Sequence, residues 1–161
     1  MNIIFDKTEI ELLDNLWETP THKKFDDREY YAVVSYSELT KPIVNKLLSW
    51  FEKQNNLQLI SYNKDLIFHR FYENNYFSRH SDNILMHGKN RAYVVGFHLN
   101  NDYKGGEYIL YDNNTIIDNT PGVPYCFNSK VEHEIKPVIS GVRKSVLIFI
   151  NHEDIKKNRI I

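Results

Sequence analysis

The sequence lacks the features that mark disulfide-bonded, membrane-spanning or strongly nucleic-acid-binding proteins. Cys126 is the single cysteine, so no intramolecular disulfide can form, and no apolar run approaches the length of a transmembrane helix. The N-terminal apolar run is too short for a signal peptide and is followed at once by acidic residues, so we expect a cytoplasmic protein. The formal net charge is only −1, so no strong overall field draws the chain to DNA, RNA or an anionic membrane.

The composition is that of an ordinary globular protein with many aromatic residues. The 161 residues are about one domain's worth, and 42% of them are apolar while 25% are charged. Aromatic residues make up 14% of the chain, which favours β-sheets because flat rings suit a half-buried pleated surface. We therefore expect a single domain that is rich in strands.

Two helices are predicted in the N-terminal third. Thr8 and Glu11 have the spacing of a capping box at the start of the first apolar stripe. The second helix is predicted to begin near Thr40, with Pro42 in its first turn. The polar, charged stretch between them, Glu18–Glu29, reads as a surface loop.

From about residue 57 the pattern changes to short strands separated by turn signals. The predicted strands are Leu57–Tyr62, Leu66–Tyr72, Tyr76–Asp82, Ala92–Asn100, Glu107–Tyr111, Thr115–Ile117, Val123–Phe127, His133–Val138 and Val142–Asn151. Many short strands behind two helices predict a mainly β fold, a double-stranded β-helix or jelly roll, with a helical flank over about 1–55 and the core over about 56–151. An immunoglobulin-type sandwich is the rival, which the two leading helices make less favoured.

Two short segments carry candidate metal ligands. Strand side chains two residues apart point the same way, so His80 and Asp82 present an imidazole and a carboxylate to one side. That pair alone equally fits a solvated strand edge, but His133 could add a third ligand from a different strand. Two histidines and one carboxylate form the facial site of non-haem Fe(II) oxygenases. Zinc is the competing metal, although Pro137 stands where the zinc-protease helix motif needs its second histidine.

An arginine lies ten residues after this third candidate ligand. Arg143 opens an apolar run, Val146–Ile150, and a guanidinium at the start of a buried strand is costly unless an anion meets it. A guanidinium binds a carboxylate through two parallel hydrogen bonds, so a small dicarboxylate is a natural guest. A structural ion pair with an Asp or Glu is the alternative.

At these motifs the chain resembles the 2-oxoglutarate- and Fe(II)-dependent oxygenases, specifically their prolyl 4-hydroxylase-like branch. The resemblance covers roughly Ile67 to Asn151. It is carried by five groups of residues: Phe68-His69-Arg70-Phe71-Tyr72; Tyr76 with Arg79-His80-Ser81-Asp82-Asn83; Phe97-His98-Leu99-Asn100; Gly105-Gly106-Glu107; and Gly122–Phe127 with His133, Pro137-Val138, Gly141 and Arg143.

The resemblance implies roles for seven residues. The implied iron ligands are His80, Asp82 and His133, and the implied 2-oxoglutarate contacts are Arg143, Tyr72, Ser145 and His98. Arg143 would pair with the distal carboxylate, Ser145 would join it, and His98 stands where many relatives have tyrosine. The implied requirements are Fe(II), 2-oxoglutarate and O2, with ascorbate as a candidate reductant.

The implied reaction is hydroxylation of an unactivated C–H bond, coupled to decarboxylation of 2-oxoglutarate to succinate and CO2. A prolyl residue in a peptide or protein is the expected substrate. A free amino acid, another protein side chain or a nucleobase is the alternative, as is a jelly-roll binding module without catalysis. His22, His69, His87 and His152 lack partners at ligand spacing and are interpreted as surface or packed histidines.

Overall fold

The computed structural model of the chain describes residues 2–17, 22–25, 30–82 and 90–157, with backbone only for 22–25 and 30. Helix α1 spans Lys7–Leu16 and helix α2 spans Lys41–Asn55. Helix α2 confirms the prediction, since it begins after Thr40 and carries its proline in the first turn. None of the helices within these ranges is long and apolar enough to cross a membrane.

The capping box of α1 lies two residues earlier than predicted. The Asp6 carboxylate accepts from the Glu9 backbone N–H at 2.9 Å, and the Glu9 carboxylate accepts from the Asp6 N–H at 3.0 Å. The prediction of Thr8 and Glu11 as the cap was therefore wrong. Asp6 and Glu9 have the same spacing, and their negative charges also suit the positive end of the helix dipole.

Twelve strands make up the remainder of the described fold. They are β1 His22–Phe25, β2 Tyr30–Val34, β3 Leu66–Phe71, β4 Phe77–His80, β5 Arg91–His98, β6 Lys104–Gly105, β7 Tyr108–Leu110, β8 Thr115–Ile116, β9 Pro124–Asn128, β10 His133–Ile135, β11 Val138–Ser140 and β12 Arg143–Asn151. A six-stranded sheet has the order β1-β2-β3-β12-β5-β9, a four-stranded sheet has the order β4-β10-β7-β8, and β11 pairs with β6. All pairings are antiparallel, as the predicted jelly roll requires.

Two hydrophobic clusters pack the helices and the sheets against one another. One packs the helices on the outer face of the six-stranded sheet, for example Leu47 of α2 with Phe68 and Ile148 of the strands. The other fills the space between the two large sheets, where Leu147 of one sheet shares a cluster with Ile135 of the other. Alternate residues of β12 therefore face either the helices or the interior of the jelly roll.

Three secondary-structure predictions need correction, two of strands and one of a loop. Leu57–Tyr62 is not a strand, and Leu59 makes only an isolated bridge to Ile155. The predicted strand His133–Val138 is two strands, because Pro137 has no N–H to donate to a ladder and divides them.

The third correction concerns the stretch predicted as a loop between the two helices. Residues 22–25 of this stretch form β1, which pairs with β2 at the edge of the large sheet. Both strands lie within the segment interpreted as a helical flank. The rest of the predicted loop, 18–21 and 26–29, lies outside the described residues.

Candidate active site

Strand pairing brings the two candidate histidine ligands together. His80 ends β4 and is the cross-strand partner of His133 at the start of β10, with ring centroids 4.3 Å apart. Asp82 follows two residues after His80, and its backbone N–H donates to the carbonyl oxygen of Ser129 at 2.9 Å. One ligating atom from each of these three side chains lies within 4.8 Å of the others.

The backbone fixes which nitrogen of each imidazole faces the cluster. Nδ1 of His80 lies 2.6 Å from the Ser78 carbonyl oxygen, and Nδ1 of His133 lies 2.9 Å from that of Val131. A carbonyl oxygen only accepts, so each Nδ1 carries the hydrogen and donates it. In the neutral imidazoles the lone pairs therefore stand on Nε2, the atoms that point at Asp82.

These lone pairs face a carboxylate at close range. Nε2 of His133 lies 3.0 Å from Oδ2 of Asp82, and Nε2 of His80 lies 3.4 Å from Oδ1. Three electron-rich atoms repel one another unless a cation stands between them. The donor set therefore fits a divalent metal with three further positions open to other ligands.

A second polar site lies in the interior of the jelly roll, at the start of β12. The Arg143 side chain is fully buried, with an exposed fraction of 0%. Its Nε donates to the Gly106 carbonyl oxygen at 3.1 Å, one terminal nitrogen to the Ser145 hydroxyl at 3.3 Å, and the other to Nε2 of His98 at 3.0 Å. A guanidinium has five N–H donors, so two lack a partner among the described residues.

No carboxylate among the described residues lies within 4.0 Å of this guanidinium. The Arg143 charge is instead enclosed by neutral groups, including the rings of Phe71 and Tyr108 at 5.7 and 5.4 Å. Burial, and secondly the charge of Arg143, hold the pKa of His98 well below its ordinary value, so His98 is uncharged. A buried cation without a counter-ion is strongly unfavourable. The site therefore fits a carboxylate ligand.

One ring connects the two sites. The Tyr108 ring lies 5.4 Å from the Arg143 guanidinium carbon and 5.8 Å from the centroid of the His133 ring. Among the side chains of the jelly-roll interior, three buried polar atoms have no hydrogen-bond partner in the described part of the chain: Nδ1 of His69, Nδ1 of His98 and the hydroxyl of Tyr125. Unpaired buried polar atoms are rare in folded proteins. A polar ligand with several donor or acceptor atoms would satisfy them.

The structure brings together most of the residues that the resemblance assigned to 2-oxoglutarate. Ser145 and His98 both contact Arg143, as described above. Tyr72 follows the last residue of β3 and is 39% exposed, so it is not buried as they are. Phe71 is the residue paired with Arg143 across the strands, so the interior position next to the guanidinium is held by a phenyl ring. A contact between Tyr72 and the co-substrate stays a prediction.

Sequence reasoning missed three residues at these sites. Tyr108 is buried between them, and Arg91 of β5 lies with its guanidinium nitrogen 4.0 Å from Asp82. His69, interpreted as a surface or packed histidine, faces the interior of the jelly roll. The period-two pattern of β3 places His69 and Phe71 on one face, a signal that could have found it. His87 lies outside the described residues, as does most of the loop after Asp82.

Both the fold and the candidate site suit a non-haem metal oxygenase that takes a carboxylate co-substrate. The profile of the 2OG-Fe(II) oxygenase superfamily matches residues 66–151, just over half of the chain. The chain belongs to this superfamily of 2-oxoglutarate-dependent enzymes, which confirms the resemblance seen in the sequence. No curated protein sequence gives a significant match.

Solved structures agree on the fold. A viral collagen prolyl hydroxylase from Paramecium bursaria Chlorella virus 1 has a TM-score of 0.74 at 16% identity, covering 94% of this chain and 93% of that chain. A 2OG-Fe(II) oxygenase family protein of Burkholderia pseudomallei has a TM-score of 0.73 at 14% identity, covering 93% and 81%.

A third solved structure has a peptide bound. This prolyl hydroxylase of Trichoplax adhaerens was solved with a peptide fragment of the hypoxia-inducible factor oxygen degradation domain. It has a TM-score of 0.71 at 18% identity, covering 95% of this chain and 82% of that chain. At such identities these likenesses establish the jelly-roll fold.

Proposed function

We propose that this protein is a dioxygenase that hydroxylates a prolyl residue of a peptide or protein, with His80, Asp82 and His133 as its iron ligands. The observation that carries the proposal is that two sites of opposite preference share one jelly-roll fold. Three donor atoms converge at one of them, and a fully buried guanidinium with neutral partners stands at the other. Fe(II) suits the first site, and a carboxylate of 2-oxoglutarate suits the second.

The protein's own residues position the co-substrate. Arg143 takes the distal carboxylate with its two remaining N–H donors, while Ser145 and His98 hold the guanidinium in place. The buried ring of Tyr108 excludes water between the two ends of the site. Bound iron supplies the oxygen chemistry by which 2-oxoglutarate, O2 and a C–H bond give succinate, CO2 and an alcohol.

The mouth of the metal site suits a peptide. The Arg91 guanidinium stacks over the Phe149 ring at 3.6 Å, and the Arg91 side chain remains partly exposed beside Asp82. A partly exposed guanidinium at this place can donate to a peptide carbonyl oxygen. The solved relatives that are prolyl hydroxylases, one of them with a peptide bound, support the same choice.

The same arginine favours a second candidate, hydroxylation of a free amino acid. Its guanidinium would bind the α-carboxylate of a small substrate bidentately, which is a stronger contact than one to a peptide carbonyl oxygen. The near-neutral charge of the chain offers no comparable support for a nucleobase substrate.

A substrate screen separates these candidates. The Fe(II)-loaded enzyme, with and without ascorbate, is supplied with 2-oxoglutarate and with proline-rich peptides, free amino acids or oligonucleotides, and succinate is measured. We expect a proline-containing peptide to raise succinate release and to gain one oxygen atom, located on proline by fragment mass spectrometry. The same peptide with each proline replaced by alanine is the matched control. Stimulation by free amino acids alone would refute the peptidyl assignment.

A further inference from the structure

His69 faces the jelly-roll interior, and the function proposed above gives it no role. It lies on β3, two residues before Phe71, and its cross-strand partner on β12 is Ser145. On its other side Ser145 pairs with His98 of β5. His69 thus belongs to a polar row across three strands, immediately next to the pair formed by Phe71 and Arg143.

The His69 ring is not satisfied by the protein. Its Nδ1 is buried and has no hydrogen-bond partner among the described residues, although the ring as a whole is only half-buried. Burial, and secondly the charge of Arg143, lower the pKa of His69 to about 3, so the imidazole is neutral. A neutral imidazole has one N–H donor and one acceptor nitrogen. A packed histidine of the core would be expected to use at least one of them.

Strand pairing places His69 beside the Arg143 end of the site. It pairs with Ser145, and its ring centroid lies 5.3 Å from that of Phe71, whose ring in turn lies 5.7 Å from the Arg143 guanidinium carbon. The next interior residue of β3, Phe71, is apolar and donates no hydrogen bond. His69 is therefore the polar group that β3 presents to a ligand spanning the two ends.

We propose that His69 is a further co-substrate-binding residue, whose ring N–H donates a hydrogen bond to an oxygen of 2-oxoglutarate held between the metal cluster and Arg143. This inference rests on the function proposed above. The dicarboxylate has only acceptor oxygens along its length, so a neutral imidazole in reach of it donates. An uncharged donor also adds no second cation next to Arg143.

Two substitutions at this position separate hydrogen bonding from packing. His69→Leu replaces the imidazole by an apolar side chain of similar bulk. His69→Gln replaces the ring N–H donor by an amide N–H donor. Affinity for 2-oxoglutarate is measured by calorimetry on the Zn(II)-loaded protein, in which no turnover occurs. We expect the Leu variant to bind roughly 10- to 100-fold more weakly, as loss of a hydrogen bond to a charged group implies, and the Gln variant to stay within about 5-fold of the parent.

A spectroscopic readout tests the contact without any substitution. In protein labelled with ¹⁵N-histidine and loaded with Zn(II), 2-oxoglutarate is expected to shift the ring N–H signal of His69 downfield and to slow its exchange with water. Absence of this signal from the Gln variant assigns it. An unchanged His69 signal at saturating 2-oxoglutarate would overturn the inference, as would equal affinities of the Leu variant and the parent.

The two proposals fail differently. If the parent protein binds 2-oxoglutarate and the His69→Leu variant binds it equally well, the role of His69 is lost and the proposed function stands. If the folded, metal-loaded parent does not bind 2-oxoglutarate, the proposed function is lost, and the role of His69 with it. Should the Leu variant fail to fold, the measurement on labelled parent protein still decides.

Discussion

Asp82→Ala is expected to abolish iron-dependent formation of succinate, with a fall of at least roughly 100-fold in turnover. The change removes the only carboxylate of the cluster and leaves two neutral imidazoles, which hold Fe(II) weakly and leave its charge uncompensated. Alanine at position 82 can still donate its backbone N–H to the Ser129 carbonyl oxygen, so the backbone there should keep its conformation. Succinate release and iron content after desalting measure the two effects.

Asp112→Ala is the matched control for this change. The Asp112 side chain lies in the exposed turn after β7, where it accepts a hydrogen bond from the next backbone N–H. Its removal should leave iron content and turnover within about 2-fold of the parent, as surface substitutions usually do. An Asp82→Ala protein that retained iron and produced succinate at the parent rate would exclude Asp82 as a ligand.

Arg143→Met is expected to weaken binding of 2-oxoglutarate by about 100-fold or more, with little effect on the stability of the ligand-free protein. Two charge-assisted hydrogen bonds to the distal carboxylate are lost, each worth about 1.5–3 kcal/mol. In the ligand-free state, however, the guanidinium is a buried charge that no described carboxylate neutralises. Its replacement by a flexible apolar side chain removes that cost but also takes a donor from the Gly106 carbonyl, the Ser145 hydroxyl and Nε2 of His98, so we expect a small net change in the free energy of unfolding.

Arg70→Met is the control, because Arg70 lies on the neighbouring strand but points to the other face. Its guanidinium pairs with Asp14 of α1 at 2.7 Å and stacks over Trp17 at 4.9 Å. This variant should bind 2-oxoglutarate as the parent does, while losing some stability. Calorimetric titration and urea unfolding give both quantities. The proposed role of Arg143 would be refuted if the folded Met variant bound 2-oxoglutarate as tightly as the parent.

The ligand motif and the arginine were predictable from sequence because both depend on local rules. Residues two apart on a strand share a face, which is how His80 and Asp82 come to point together. An arginine at the start of an apolar run predicts a buried cation, and Arg143 is fully buried. The short strands of the core followed from period-two patterns and turn residues, so most of their bounds agree with the structure to within two residues.

Other features depend on contacts distant in sequence. The charged residues of β1 gave no strand pattern, and its pairing with β2 is made at the edge of the large sheet. Tyr72 and Phe71 differ by one position, and only the pairing with β12 decides which of them faces Arg143. His69 has no partner at ligand spacing along the chain, and its place beside Ser145 exists only in the folded jelly roll.

On the function proposed above, one jelly roll holds Fe(II) at His80, Asp82 and His133 and 2-oxoglutarate at Arg143. Anaerobic titration of the protein with Fe(II) and 2-oxoglutarate, followed by visible absorption, tests both halves at once. We predict a charge-transfer band that requires both components, is absent from Asp82→Ala, and needs far more 2-oxoglutarate in Arg143→Met. A folded protein that binds Fe(II) and gives no band at saturating 2-oxoglutarate would contradict the binding of both in one site.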